Sequence, residues 1–369
     1  METISVETLR TWLEEGHPVT ILDVRPTAER AEWAIPGSIH VDAYDALQAH
    51  DPAALAALDV PSDVPVVTVC AAGKTSQIAA SQLQARGLQA LSLDGGMKAW
   101  SLAWNTAEVP VSASGVRVIQ VRRTGKGCLS YLIGASDEAM VIDASLDPQV
   151  YLAMARSHGW QITSVFDTHI HADHLSRSRQ LAERSGAMLF LPDQQRVSFP
   201  FTAMRDGDTL AIPHLILTAL HTPGHTPEST CYLLNNAILL TGDTLFPNSI
   251  GRPDLHADEQ ETRARSSLLY HSLHKLVALP LPSETLVLPG HASQPVPFDG
   301  KPVCARLSEV DEHVGLLHVT QTVFVETLLR LLPPTPPNYE RITRLNEAGL
   351  VPEGDVTELE AGANHCAIS

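Results

Sequence analysis

Thr168-His169-Ile170-His171-Ala172-Asp173-His174 sets three imidazoles and a carboxylate within seven residues, directly after the run Ile162 to Phe166. That run reads as a strand, so the ligating side chains begin where a strand gives way to a loop. A lone histidine is usually a surface residue or a satisfied core residue. Four potential ligands this close, on rigid backbone with one side left open, describe metal chemistry, and imidazole with carboxylate suits zinc, iron or manganese.

Downstream, three more segments repeat the pattern. They are Thr222-Pro223-Gly224-His225-Thr226, Thr241-Gly242-Asp243-Thr244 and Leu288-Pro289-Gly290-His291. Each follows an apolar strand-like run and places its His or Asp just past the end. Singly they are ordinary turn signals; in series after His-x-His-x-Asp-His they form a ligand set, in which a carboxylate such as Asp243 serves one ion or bridges two. Around them, Val116 to Val121, Cys128 to Ile133 and Ala139 to Ile142 read as antiparallel strands, and a helix is expected near Gln149 to His158. Leu175 to Ser185 reads as helical, Met188 to Leu191 as a strand, and Leu210 to Leu240 as further strands with an Asn235-Asn236 turn. The pattern predicts two sheets covered by helices.

These ordered motifs resemble the metallo-β-lactamase superfamily over about residues 115 to 295, which implies an αββα sandwich gathering the loops at one edge. Thr241-Gly242-Asp243-Thr244-Leu245-Phe246 followed by Ile250-Gly251-Arg252-Pro253-Asp254-Leu255 is similar to the persulfide dioxygenase branch, including members fused to rhodanese domains. That resemblance implies one Fe(II) per chain on His169, His225 and Asp243, leaving positions for oxygen and substrate. His171, Asp173, His174 and His291 would then orient ligands and water, and Arg252 and Asp254 would lie at the substrate edge. The same residues also allow a glyoxalase II-like thioester hydrolase with two zinc ions: His169, His171 and His225 on one, Asp173, His174 and His291 on the other, Asp243 between. Arg177 stands where these families often have Gly, and His291-Ala292-Ser293 replaces a His-Asp-Tyr seen in some dioxygenases.

The first hundred residues alternate strands with helices, as a small parallel α/β domain does. Ser5 caps a helix with Val6, Leu9, Trp12 and Leu13 on one face; Val19 to Val24, Val66 to Val69 and Leu88 to Leu93 read as strands, with a helix from about Gln77 to Arg86. Cys70 sits where a strand meets a helix, in Cys70-Ala71-Ala72-Gly73-Lys74-Thr75-Ser76. Successive backbone N–H groups and the helix behind favour a thiolate there, although a small buried hydrophobe is the plainer fate of a free cysteine. A P-loop is a weak competitor, because Gly73-Lys74-Thr75 follows a strand but the pattern also needs Gly where Thr68 stands. Leu22-Asp23-Val24-Arg25, Ile35-Pro36-Gly37-Ser38-Ile39-His40, the Cys70 loop and Leu93-Asp94-Gly95-Gly96 with Trp100 look like a rhodanese domain, with Thr75 where many rhodaneses have Arg. The resemblance implies Cys70 as the carrier of sulfane sulfur and Ala71 to Ser76 as its anion loop.

The expected division is a rhodanese-like α/β domain over 1–108, a small-residue linker over 109–115, the αββα metallo-β-lactamase sandwich over 116–295, and a helical extension over 296–369 that ends in a frayed tail. The stretch from Phe324 to Asn346 also resembles the C-terminal segment of fused persulfide dioxygenases.

Composition narrows the partners. The chain has 369 residues, 44% of them hydrophobic, with 25 basic against 42 acidic side chains and a formal charge of −17. Such a surface repels phosphate backbones and anionic lipid, so neither nucleic acid nor membrane is expected. Five scattered cysteines do not describe a disulfide framework, and no apolar leader or long apolar run is present, which points to the cytoplasm. Those cysteines also read as lying outside the histidine cluster. The expected activity is oxidation of a thiol persulfide, by resemblance glutathione persulfide, to sulfite with O2, coupled through Cys70 to thiosulfate or thiol sulfurtransfer. A homo-oligomer is allowed. The alternatives are the dinuclear hydrolase and a non-catalytic sulfur carrier or sensor.

Overall fold

A computed structural model describes residues 2–111 and 114–368; part of the expected linker, residues 112 and 113, lies outside the described residues. The first domain runs β1 (Thr3–Ile4), α1 (Val6–Glu14), β2 (Thr20–Asp23), α2 (Thr27–Glu32), β3 (Ile39–His40), α3 (Tyr44–Gln48), β4 (Val66–Val69), α4 (Thr75–Ala85), β5 (Ala90–Leu93) and α5 (Gly96–Trp100). All its strand pairs are parallel, in the order β1-β5-β4-β2-β3. Every residue of β4 is buried, because both faces of a parallel sheet carry helices. This is the rhodanese-like arrangement expected from sequence.

The second domain begins earlier than composition indicates. Residues 105 to 109 form β6 (Asn105–Val109), which pairs antiparallel with β7 (Val116–Arg122). Their alternation of buried and exposed positions is that of a sheet strand, not of a tether. The sheet continues through β8 (Leu129–Ala135) and β9 (Glu138–Ile142); after α6 (Pro148–Ser157) come β10 (Gln161–Phe166), α7 (Ser178–Ser185), β11 (Met188–Pro192) and β12 (Thr202–Met204), in the order β12-β11-β10-β9-β8-β7-β6. A second sheet holds β13 (Thr209–Ile212), β14 (Leu215–His221), β15 (Thr230–Leu234), β16 (Ile238–Gly242) and, beyond the short β17 (Ile250–Gly251) and α8 (Glu259–Val277), β18 (Leu286–Pro289) and β19 (Ala305–Arg306).

Apolar residues facing one another across the two sheets, among them Met140, Phe166, Phe190, Leu217, Tyr232 and Leu240, form one core. Tyr151 and Leu181 seal the first sheet under α6 and α7, and Leu269, Leu273 and Phe324 seal the second under α8 and α10 (Gln321–Leu331). The result is an αββα metallo-β-lactamase sandwich. Helix α7 starts at Ser178 rather than Leu175, because the Leu175 N–H donates to Glu360 and the Arg177 N–H to the Ala144 carbonyl.

The tail is not frayed. After α9 (Leu307–His313), α10 and α11 (Tyr339–Ala348), α12 (Thr357–Glu360) carries Glu360 into the interior, where it faces Arg123 at 3.0 Å and Arg177 at 3.5 Å. Strand β20 (Ala367–Ile368) then pairs antiparallel with β17, so the last described residues close on the edge where the loops gather.

Candidate metal centre

Four strands of the sandwich, β10, β14, β16 and β18, each end just before one of the ligand segments, so their side chains meet at one edge. His169, His225 and Asp243 are 3% exposed or less, with ligand atoms within 4.8 Å of one another. The hydrogen bonds behind them fix the tautomers. Thr168 spends its hydroxyl proton on Asp143 (3.0 Å), so its oxygen accepts from His169 Nδ1–H at 2.9 Å; His225 Nδ1–H donates to the Arg252 carbonyl at 2.7 Å. Both Nε2 lone pairs are thereby left facing Asp243 Oδ2, at 3.8 and 3.7 Å.

That Oδ2 is buried and has no hydrogen-bond partner. A buried carboxylate oxygen so placed is costly unless a cation answers it. Two imidazole lone pairs and a carboxylate oxygen are too far apart here to hydrogen-bond and close enough to share an ion about 2 Å from each. The residues therefore fit a metal. Burial, with His171 next in weight, holds His169 well below the usual imidazole range, and burial lowers His225, so both are neutral and able to ligate. Burial, the largest single influence, opposes ionisation of Asp243, but the neighbouring histidines, His291 foremost, together outweigh it and hold the carboxyl below the usual carboxylate range.

The remaining cluster residues divide. His291 lies between two carboxylates, Nδ1 at 2.6 Å from Asp243 Oδ1 and Nε2 at 2.7 Å from Asp173 Oδ2. Burial disfavours its charged form, yet Asp173 and Asp243 hold it well above the ordinary range, as an imidazolium. His171 Nε2 faces Asp143 at 3.2 Å and His174 Nδ1 faces Asp173 at 3.0 Å, while His171 Nδ1, His174 Nε2 and, despite its closeness to Asp173, His291 Nε2 are buried without hydrogen-bond partners.

Two cysteines do lie in the cluster, contrary to expectation. Cys128 Sγ is 3.5 Å from Asp173 Oδ2 and clusters with His174 and His291; Cys366, on the tail, clusters with Asp243 and His291. Burial opposes the Cys128 thiolate, but His174 outweighs it and brings the thiol to about 6, with His174 correspondingly raised to about 10. Burial, then Asp243 and Asp173, hold Cys366 well above the usual thiol range. Residues 128 and 291 face each other across a β-bridge, and 366 arrives from the end of the chain. Neither approach is visible as sequence spacing.

Other supporting side chains went unnoticed in the sequence. Asp143, just past the end of β9, accepts from the Thr168 N–H at 2.7 Å; Glu228 accepts from the Ile170 N–H; Asn346 on α11 donates to the carbonyls of His171 and His174. Only Asp143 had a signal, an acidic residue following an apolar strand on the same edge.

Arg252, expected at the substrate edge, turns its side chain inward, whereas Asp254 is half-buried and lines a cleft with His256 and Tyr339. The Arg252 side chain is fully buried, ion-paired to Asp254 at 2.7 Å, and donates to the carbonyls of Pro333, Pro334 and His365, so it clamps the C-terminal extension. Arg177, standing where Gly is frequent, bonds the Leu175 carbonyl and faces Glu360. Beside the cluster a cleft of about 350 Å³ ends on His291 and is walled by Phe246, Ser249, Ser293, Gln294 and Lys301.

In the first domain Cys70 is buried, with Sγ 3.3 Å from Ser76 Oγ, which in turn meets Ser92 Oγ at 2.8 Å. The loop is held from behind by α5: Met97 N–H donates to the Cys70 carbonyl and Lys98 N–H to that of Ala71. Gly96, at φ +58°, makes this possible, since a Cβ there would stand 2.2 Å from the Cys70 carbonyl oxygen. Of the loop, Gly73, Thr75 and Ser76 are buried, Ala71 is half-buried, and Ala72 and Lys74 are exposed; Thr75 accepts from Gln48 rather than facing out.

Comparison with known proteins agrees with this architecture. Residues 5–103 match the rhodanese-like domain and residues 123–291 the metallo-beta-lactamase superfamily. The hydroxyacylglutathione hydrolase of Rhizobium johnstonii is 33% identical over 162 residues, 43% of this chain and 56% of that protein, so the chain spans a little over half of that curated relative. Among solved structures, a metallo-beta-lactamase from Staphylococcus aureus subsp. aureus COL is 25% identical with TM-score 0.58, covering 64% of this chain and 74% of the other. ETHE1 from Myxococcus xanthus is 30% identical with TM-score 0.52, covering 66% of this chain and 99% of the other.

Proposed function

The chain belongs to the metallo-β-lactamase superfamily, with a rhodanese-like domain ahead of that fold, and from this premise we propose that it is a persulfide dioxygenase coupled to sulfurtransfer at Cys70. The observation that carries the reading is the grouping of His169, His225 and Asp243 around a carboxylate oxygen, Asp243 Oδ2, that is buried and without a hydrogen-bond partner. The likeness to ETHE1 over 99% of that chain supports the same branch. Two histidines and one carboxylate suit a single ferrous ion, which when bound would supply electrons for oxygen and a Lewis acid for sulfur.

The chain's own residues do the rest. Thr168 and Arg252 hold the two imidazoles with Nε2 forward, and His291 keeps the second oxygen of Asp243 occupied. The cleft on His291 admits a substrate of tripeptide-thiol size, with Lys301 at its wall to meet a carboxylate. In the overall reaction one persulfide, one O2 and one water give one thiol, one sulfite dianion and two protons. Cys70 takes the outer sulfur of thiosulfate and releases sulfite, leaving a persulfide whose outer sulfur a small thiol can accept.

The hydrolase reading keeps two supports: His174 Nε2 and His291 Nε2, both buried without hydrogen-bond partners and grouped with Asp173 and Cys128, would suit a second ion, and the chain is similar to a hydroxyacylglutathione hydrolase. Oxygen uptake by protein purified without air and given glutathione persulfide, with metal analysis of the same sample, separates the two. Uptake with sulfite formed and about one iron per chain is expected. No uptake, two zinc ions per chain and cleavage of a glutathione thioester would replace the proposal with the hydrolase.

A further inference from the structure

We propose that Cys366, brought into the metal centre by the C-terminal strand, is the thiol that receives sulfane sulfur there, so that sulfur is held on the protein before it is oxidised. This rests on the persulfide reading above and adds a residue to it.

Three observations converge. The tail is built into the site: β20 pairs with β17, the Arg252 N–H donates to the Cys366 carbonyl at 3.1 Å, and Cys366 N–H donates to Asn364 Oδ1 at 3.3 Å, while Asn364 Nδ2 reaches the carbonyls of Lys126 and Ala292. So fixed, the thiol points inward. Its Sγ lies within 4.8 Å of a carboxylate oxygen of Asp243 and a ring nitrogen of His291, and its own hydrogen bond goes only to the carbonyl of Asn364. Asp243 also carries the unpartnered, buried Oδ2 that faces His169 and His225. A sulfur acceptor at this point is therefore next to the group that would hold the metal.

The second observation is access. The cleft has His291, Phe246 and Ser249 in its wall, and a ring nitrogen of His291 lies within 4.8 Å of Cys366 Sγ, so His291 stands between the cleft and the buried thiol. The third is the course of the tail across the seam. Helix α12 packs on α5, whose first turn holds the Cys70 loop, with Lys98 and Glu358 paired between them. The segment that carries Cys366 is thus docked on both domains.

The step balances without an oxidant. Because its surroundings oppose a free thiolate, the Cys366 thiol gives its proton to the departing R–S as its sulfur attacks the outer sulfur of R–S–SH; the bond between the two donor sulfurs breaks and a bond from Cys366 Sγ to the outer sulfur forms. The products are Cys366–S–SH and R–SH. Oxygen and water then convert the outer sulfur to sulfite as in the overall reaction, returning the Cys366 thiol.

The test uses the full-length, metal-loaded protein with Cys70→Ser, so that the rhodanese cysteine cannot take label. Glutathione persulfide is added without oxygen, thiols and persulfides are trapped by alkylation, and the peptides of the other four cysteines are weighed. One extra sulfur on the Cys366 peptide, lost with release of sulfite when oxygen is admitted, is the expected result. Label on Cys128, Cys231 or Cys304, or on none, overturns the proposal, as does a Cys366→Ser protein of unchanged metal content that consumes oxygen at an unchanged rate. Oxygen uptake decides the underlying reading separately. Label on Cys366 with neither uptake nor sulfite keeps the acceptor and sinks the dioxygenase, whereas uptake without label does the reverse.

Discussion

Asp243 is the residue on which the centre turns, because one oxygen is engaged by His291 and the other faces two imidazole lone pairs with nothing to bind it. Asp243→Asn keeps the shape and removes the charge, and its amide can turn an N–H toward those lone pairs. Metal content is expected to fall by at least about 100-fold in affinity while the metal-free protein melts no lower than the metal-free wild type. Metal titration and thermal melts check this; undiminished affinity would place the ion elsewhere. Cys70→Ser should instead abolish thiosulfate sulfurtransfer, by roughly a thousandfold or more, and leave metal content alone, because the cysteine belongs to the other domain. At this scale the sequence was readable where ligands sit just past strand ends, as His169, His225, Asp243 and His291 do. It was opaque where partners come from far along the chain. Nothing near Cys366 states that it will meet Asp243, and the buried clamp of Arg252 on Pro333, Pro334 and His365 looks, in sequence, like an exposed loop arginine.

The sandwich strands were legible because their apolar runs are local, and the C-terminal tail was not, because what orders it is a set of long-range contacts. Gly354, Gly362 and Asn364 suggest a loose end, whereas Glu360 makes it fast. Its carboxylate accepts from Leu175 N–H at 2.7 Å and sits against Arg123 and Arg177, binding α12 to the loop after the histidine motif. Burial opposes ionisation, but Arg123 and then Arg177 outweigh it and bring the group down to about 2. A carboxyl lowered on folding adds stability that is complete above its ordinary pKa near 4.5 and disappears as pH falls toward the folded value. Acid melts of the wild type should therefore lose a few kcal/mol, on the order of 3, between about pH 4.5 and 2 from this group. Glu360→Gln leaves two buried guanidinium groups without their carboxylate and should cost about 3–5 kcal/mol at neutral pH. The variant's melting temperature should also vary less with pH over that acid range. Equal acid slopes for the two proteins would show that the tail is not held by this charge.

Joining the two domains raises the local concentration of any sulfur passed between them only if the seam keeps their geometry, and its contacts indicate a packed joint rather than a tether. The Trp33 Nε1–H donates to the Thr124 carbonyl at 3.0 Å, Arg123 Nε–H to the Ser101 carbonyl at 2.7 Å, and Phe298 of the second domain approaches Trp100 in the core of the first. The stretch expected as a linker, 109–115, does not join the domains, since β6 ahead of it is already part of the second sheet and the join lies before Asn105. Domains joined this way should melt as one cooperative unit. Gly125 is the point at which to test it. Its N–H donates to the Ala103 carbonyl at 3.2 Å, and a Cβ there would stand 1.7 Å from the Trp100 carbonyl oxygen. That oxygen is backbone, so it cannot swing aside as a flexible side chain would; Gly125→Ala must part the seam, at a cost of about 1–3 kcal/mol. Gly315→Ala, where a Cβ meets nothing within 4 Å, is the matched control and should change stability by less than about 0.5 kcal/mol. Calorimetry should give one transition for the wild type and the control, and for Gly125→Ala a lower onset that resolves into two. If Gly125→Ala instead melts as a single transition at the wild-type temperature, the seam adds nothing to stability, and sulfur exchange between the domains must go through solution.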